Sequence, residues 1–167
     1  SVAWNPLGWE AVAFSEIEPF PCAVLAHHYP SVPNWGYMTK FQEWPDADVD
    51  LLCGGTPCQP FSVAGLRQGL ADPRGNLMLT FGAIAAKYRP KWLVWENVPG
   101  VLSSNKGRDF ASFLGLITGQ EVQVPAGGWQ NSGIVAGIPE AYGAAYRVLD
   151  AQYFGVAQRR RRVFVVG

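Results

Sequence analysis

Long apolar runs are missing from this sequence. None of its 167 residues belongs to a stretch approaching the ~18 that a membrane span needs, and the first residues show no basic segment followed by an apolar one. Cysteine is scarce: Cys22, Cys53 and Cys58 are an odd number, at spacings that fit neither a common zinc pattern nor a disulfide framework. A reducing, intracellular setting without a bound metal is expected. Charged residues make up only 16%, but apolar residues reach 49%, which excludes a disordered chain. Net charge is absent too, since 13 Lys and Arg offset 13 Asp and Glu, and at face value this argues against a nucleic-acid partner. The length suits one domain or a piece of one, able to bury a core without a disulfide or metal staple.

The neutral sum hides an asymmetry. Residues 1–72 carry eight acids and two bases, and residues 73–167 eleven bases and five acids, so the halves are −6 and +6. Four of those bases are consecutive: Arg159, Arg160, Arg161 and Arg162. They make a local positive site on a neutral chain.

Short β-rich runs alternate with longer helical stretches. Residues 11–14, 49–53 and 92–95 read as buried strands, residues 20–29, 77–88 and 109–117 as helices. Residues 146–151 and 162–166 read as two further strands able to pair as a hairpin. This alternation predicts an α/β fold, a mostly parallel sheet covered by helices on both faces, with ligands gathering at the carboxyl ends of the strands. Glu16, Cys58 and Glu96 follow three of those strand ends. The Gly-rich residues 118–145 show little periodicity and read as a loop or insertion.

Three segments can carry chemistry. In LLCGGTPCQPFSVAG, residues 51–65, a strand opens into a Gly-Gly turn; Cys53 reads as a small core hydrophobe and Cys58 as a loop cysteine. Taken singly, Cys58 is more simply an inert thiol than a nucleophile. In WLVWENVPG, residues 92–100, a strand ends on Glu96, equally readable as an acid or as a structural hydrogen-bonding group. In AQYFGVAQRRRRVFVVG, residues 151–167, strand alternation puts Arg160 and Arg162 on one face, with Arg159 and Arg161 on the other. A thiol redox or cysteine-hydrolase reading is weak, because no resolving cysteine lies two or three residues from Cys58 and His27 and His28 are remote on a helix.

Together, PCQPFS, then ENV with its Glu96 38 residues past the cysteine, then QRRRRVF roughly 60 residues further on resemble the DNA cytosine-5 methyltransferase family. The ending YRVLDAQYFGVAQRRRRVFVVG is similar to the phage and prophage-like branch. The resemblance implies a Rossmann-like sheet that uses S-adenosylmethionine, and double-stranded DNA as partner in the cytoplasm of a bacterial or phage-infected cell. Cys58 matches the nucleophile that adds to cytosine carbon 6, Glu96 the carboxyl group holding N3, and Arg160 and Arg162 the two arginines of which one orients the base oxygen and the carboxylate and both help keep the thiolate. Glu16 matches the acid that binds the ribose hydroxyls, with Glu18 an alternative on spacing. Ile17, Pro57 and Leu77 match further cofactor contacts. Gln59, Ser62 and Arg74 stand where the family contacts the DNA strand or fills the space of a flipped base.

The chain also departs from the family pattern. It contains no F-x-G-x-G, and Tyr37 in GYMT stands where the family has an acid in G-D-[IM]-T. These departures, with no segment matching a target-recognition domain, lead to the expectation of a partial catalytic domain over residues 1–167, truncated at both ends. A non-catalytic remnant that keeps the fold and a DNA or protein contact is the alternative.

Overall fold

The computed structural model describes residues 3–56 and 77–167. They fall into two compact units, Ser1–Val49 and Asp50–Gly167.

In the first unit, helix α1 (Pro19–His28) begins on a proline, whose fixed φ suits the first helical turn and whose missing N–H costs nothing there. It stops before Pro30, which disfavours helical geometry at Tyr29. The strand expected over residues 11–14 does not form. Phe14 makes a single bridge to Asn34, with its N–H on the Pro33 carbonyl (2.9 Å) and its own carbonyl accepting from Trp35 (2.7 Å). Pro33 has no N–H with which to continue a ladder, so an apolar run of suitable composition stays irregular.

The second unit is a five-stranded sheet in the order β1-β2-β5-β4-β3 among the described residues. Its elements are β1 (Leu51–Gly55), α2 (Leu77–Tyr88), β2 (Trp92–Asn97), α3 (Arg108–Thr118), β3 (Ser132–Val135), β4 (Ala144–Asp150) and β5 (Arg161–Val166). Only β1 and β2 are parallel; β2–β5, β5–β4 and β4–β3 are antiparallel. The sheet is therefore mixed rather than mostly parallel. The short β4–β5 connection permits only a hairpin, and β5 enters next to β2, so antiparallel pairing spreads outward from there.

Alternation along β2 sends Leu93, Trp95 and Asn97 to one face, where Trp95 packs on Phe113 with ring centroids 4.3 Å apart and Phe81 lies 6.4 Å from Phe113. Val163 and Val165 of β5 join this fully buried layer with Phe110 and Leu114. Among the described residues of this unit, helices α2 and α3 cover one face. Val94, Glu96, Arg162 and Phe164 fall on the opposite face and are half-buried.

Residues 118–145, expected to be a loop, contain β3. Ser132 pairs with Arg147 and Val135 with Ala144. Gly133 makes the contact possible, because a Cβ there would lie 2.6 Å from the Tyr146 ring. With only Ile134 and Val135 apolar, the strand had no periodicity to reveal it.

Candidate active site

Glu96 stands in a cross-strand row. It pairs with Gly55 on β1 and with Phe164 on β5. Gly55 leaves room for the carboxylate, since a Cβ there would sit 2.9 Å from Glu96 Oε2. Two residues before Phe164 and on the same face, Arg162 brings its Nε–H to Glu96 Oε1 at 2.9 Å, while Arg160 approaches the same oxygen at 4.0 Å. The alternation read in the arginine run therefore brings this pair to the carboxylate and turns Arg161 to Asn131 Oδ1 at 3.3 Å.

The two arginines are not equivalent. Arg162 is 23% exposed and donates a second bond, from Nη1 to the Arg161 carbonyl at 2.7 Å. A charge-assisted bond to a partly buried carboxylate contributes about 1.5–3 kcal/mol, against ~0.2–1 kcal/mol for a pair in open solvent. Arg160, at 52% exposure and longer range, supplies field rather than a firm bond.

A pocket of about 250 Å³ opens here, with apolar walls from Leu149, Ala151, Phe154 and Phe164 and a charged edge from Glu96, Arg160 and Arg162. Apolar walls with an acceptor and two donors on one side suit a planar heterocycle with a polar edge. The β4–β5 turn is held by Asp150, whose carboxylate accepts the Arg160 N–H (3.0 Å) and the Gln152 side-chain amide (2.7 Å). Desolvation alone would raise the Asp150 pKa, but these bonds and nearby Arg161 hold it below the ordinary carboxylate value.

The start of the cysteine segment is also anchored. Thr56, buried after β1, has its hydroxyl oxygen bonded by the Trp95 indole N–H (3.1 Å) and its carbonyl by the Asn97 amide (2.9 Å). Cys58 itself, with Pro57, Gln59, Ser62 and Arg74, lies outside the described residues. Leu77 is the first residue of α2 and half-buried. Cys53, expected in the core, is exposed, because Gly54 faces Phe81 and alternation turns Cys53 away.

The other expected residues lie in the first unit. Glu16 Oε1 accepts the backbone N–H groups of Ile17 (2.7 Å) and Glu18 (2.9 Å), which fixes the carboxylate just ahead of α1. The spacing alternative, Glu18, is the residue preceding α1 and offers no such arrangement of its side chain. Asn34 ties this turn to the next segment: its Oδ1 accepts from Glu16 N (3.0 Å) and Gly36 N (3.1 Å), and its Nδ2 donates to the Glu16 carbonyl (2.9 Å). Ser15 adds a bond to the Gly36 carbonyl at 2.7 Å. Glu16, Ile17 and Tyr37 are thereby gathered, and Ile17 and Tyr37 keep about half their surface, 50% and 48%, available. Among the described residues no group of three or more His, Cys, Asp or Glu could hold a metal, and no helix is long and apolar enough to cross a membrane. Asn34, Gly55, Thr56, Asp150 and Phe154 were not singled out from sequence; only the Gly-Gly pair at the end of β1 offered a signal.

A family profile described as "C-5 cytosine-specific DNA methylase" matches residues 1–119 and 135–167. A DNA N-6-adenine-methyltransferase of Escherichia phage P1 is 44% identical over 99% of this chain, which spans 26% of that protein. Type II methyltransferase M.AquIA of Picosynechococcus is 33% identical over 96% of this chain and 66% of its own length. Among solved structures, a putative DNA modification methyltransferase encoded within an E. coli prophage matches at TM-score 0.63 and 20% identity, covering 96% of this chain and 40% of the other. The S. pombe Dnmt2 methyltransferase matches at 0.62 and 16%, covering 98% and 45%. The chain spans between about a quarter and two thirds of the curated relatives named here. The structural likeness shows the α/β, Rossmann-like fold of such methyltransferases.

Proposed function

Since the chain belongs to the C-5 cytosine-specific DNA methylase family, we propose that its protein methylates carbon 5 of a flipped-out cytosine in double-stranded DNA through a covalent adduct on Cys58. The observation that carries this reading is the pocket in which the Glu96 carboxylate, bonded by Arg162 at 2.9 Å, forms the polar edge of an apolar slot. A cytosine ring seated there presents N3 to Glu96 and its carbonyl oxygen to a guanidinium. The Cys58 thiolate adds to carbon 6, and the electron pair moves through the ring toward carbon 5, where it can take a methyl group. Negative charge developing at N3 and O2 is stabilised by Glu96 as proton carrier and by the two arginines. After methyl transfer, loss of the carbon-5 proton expels the thiolate and restores the ring. Gln59, Ser62 and Arg74 would hold the DNA strand around the extruded base.

The cofactor implied by the family and the fold is S-adenosylmethionine. The first unit fits it: a carboxylate held by two backbone amides suits a ribose diol, and the half-exposed side chain of Ile17 suits an adenine face. Tyr37 offers a hydroxyl for the adenine edge; for Pro57 and Leu77 a cofactor contact rests on the family resemblance alone. When bound, the cofactor supplies an electrophilic methyl group on sulfonium.

The name of the phage P1 relative raises a second reading, methylation of adenine N6. An exocyclic amine attacks with its own lone pair and needs no thiolate or guanidinium pair, so the Glu96 edge favours carbon methylation. The test uses the full-length protein with S-adenosylmethionine and duplex DNA carrying 5-fluorocytosine. Because fluorine at carbon 5 cannot leave as a proton does, the adduct persists; it is expected with the wild type and absent with Cys58→Ala. No adduct, an adduct that survives Cys58→Ala, or label on adenine N6 would each overturn the proposal, and a protein that transfers no methyl at all would be the non-catalytic remnant.

A further inference from the structure

The family profile leaves out residues 120–134, yet this segment is packed into the second unit. Trp129 donates its indole N–H to the Gly107 carbonyl at 2.8 Å and meets Phe110 and Tyr146 edge-on at 5.1 and 5.8 Å. Gly107 admits it: a Cβ there would lie 2.9 Å from the indole ring. Two residues on, the Asn131 carbonyl accepts the Val148 N–H at 2.7 Å, extending the β3–β4 ladder, and its side-chain Oδ1 accepts from Arg161 Nη2 at 3.3 Å. The Arg161 carbonyl in turn accepts from Arg162 Nη1 at 2.7 Å, and Arg162 Nε bonds Glu96 at 2.9 Å.

We propose that Asn131, supplied by a segment outside the family pattern, is a positioning residue for the active-site pair Arg162–Glu96, acting through Arg161. The chain Asn131–Arg161–Arg162–Glu96 is contiguous, and each link is a hydrogen bond or ion pair. Arg161, unlike Arg160 and Arg162 on either side of it, is turned away from Glu96. With its side chain held by Asn131 and its backbone paired with Asp150, its carbonyl offers Arg162 Nη1 a fixed acceptor. That second bond leaves the guanidinium one orientation in which Nε meets the carboxylate, which matters because a flexible arginine would otherwise have many. Like-charge repulsion within four adjacent arginines works against such order, and an outward acceptor for Arg161 offsets it.

The functional consequence rests on the reading of Glu96 and Arg162 as the groups that hold the base. In the full-length protein, Asn131→Leu and Arg161→Leu are each expected to lower kcat on cytosine about 3- to 10-fold, the range of one ordinary exposed hydrogen bond. The double variant should fall no further than the worse single one, and Asn131→Asp, which keeps the acceptor, should restore the rate. Additive losses, or a lowered Tm with unchanged kcat, would overturn the proposal. A second measurement does not need activity: the NMR signal of the Arg162 Nε–H, ordered by its bond to Glu96, should broaden or shift upfield in Asn131→Leu and return in Asn131→Asp. An unchanged signal in Asn131→Leu overturns the positioning role. A wild-type protein that methylates no cytosine, with the NMR effect intact, would overturn the methylation reading alone.

Discussion

Gly55 is the residue at which fold and site separate most cleanly. A Cβ at this position would lie 2.9 Å from Glu96 Oε2 and 3.4 Å from the Glu96 carbonyl oxygen. The first of these atoms ends a side chain that can swing, so the fold can absorb a methyl group at small cost. The swing, however, must break the carboxylate from Arg162. Gly55→Ala is therefore expected to change stability by less than ~1 kcal/mol in urea melts while lowering the methylation rate by about 10-fold or more. A variant that loses both in proportion would mean that Gly55 serves packing alone. The pairing behind this prediction was half legible in sequence. Four arginines before an apolar strand must alternate, so Arg160 and Arg162 could be assigned a common face without coordinates. Their partner Glu96, on the neighbouring strand, came from the family resemblance and not from local pattern, because register between β2 and β5 is set by hydrogen bonds that leave no local trace.

At the level of elements, the β4–β5 hairpin shows how a charged turn is kept in shape. Asp150 ends β4, pairs in register with Arg161, and accepts the Arg160 amide. Burial alone would raise its pKa; hydrogen bonds from Gln152 and Arg160, with Arg161 close by, depress it. A depressed folded-state pKa means that the unfolded chain takes up the proton first as pH falls. The stabilisation is thus fully present above the unfolded value, near ~3.9, and is lost as pH falls through the lower folded value. Acid unfolding of the wild type should be steeper through this range than that of Asp150→Asn, and near neutral pH the stability difference should be flat. Parallel curves would show that the carboxylate does not order the turn. Elements with strong periodicity, such as α2 and β2, were legible in sequence because their apolar residues decide their burial. Two failed for opposite reasons. Residues 11–14 had the composition of a strand but met Pro33, which cannot extend a ladder; β3 had a ladder but, with Gly133 under Tyr146, no composition.

Across the whole molecule, the charge asymmetry coincides with the division into two units and with the roles proposed for them. Ser1–Val49, which holds Glu16, Ile17 and Tyr37, carries six acids and one base; Asp50–Gly167, which holds Glu96 and the arginines, carries twelve bases and seven acids. A neutral total is therefore no bar to a polyanion partner, since phosphates respond to local potential and short screening lengths, not to the sum. Binding by such a surface should release counterions, and log K should fall linearly with log salt concentration at about 0.9 per phosphate neutralised. Arg159 is exposed at the head of the run, outside the bonds that hold Arg160 to Arg162. Arg159→Ala in the full-length protein is expected to weaken duplex binding equally for all sequences and to reduce the salt slope by about 1. Arg162→Ala should instead act on the rate at saturating DNA, because its guanidinium is committed to Glu96. Fluorescence anisotropy titrations at several salt concentrations would read the first effect. A slope unchanged in Arg159→Ala would mean that the basic run serves the reacting base alone and that the phosphates are held elsewhere.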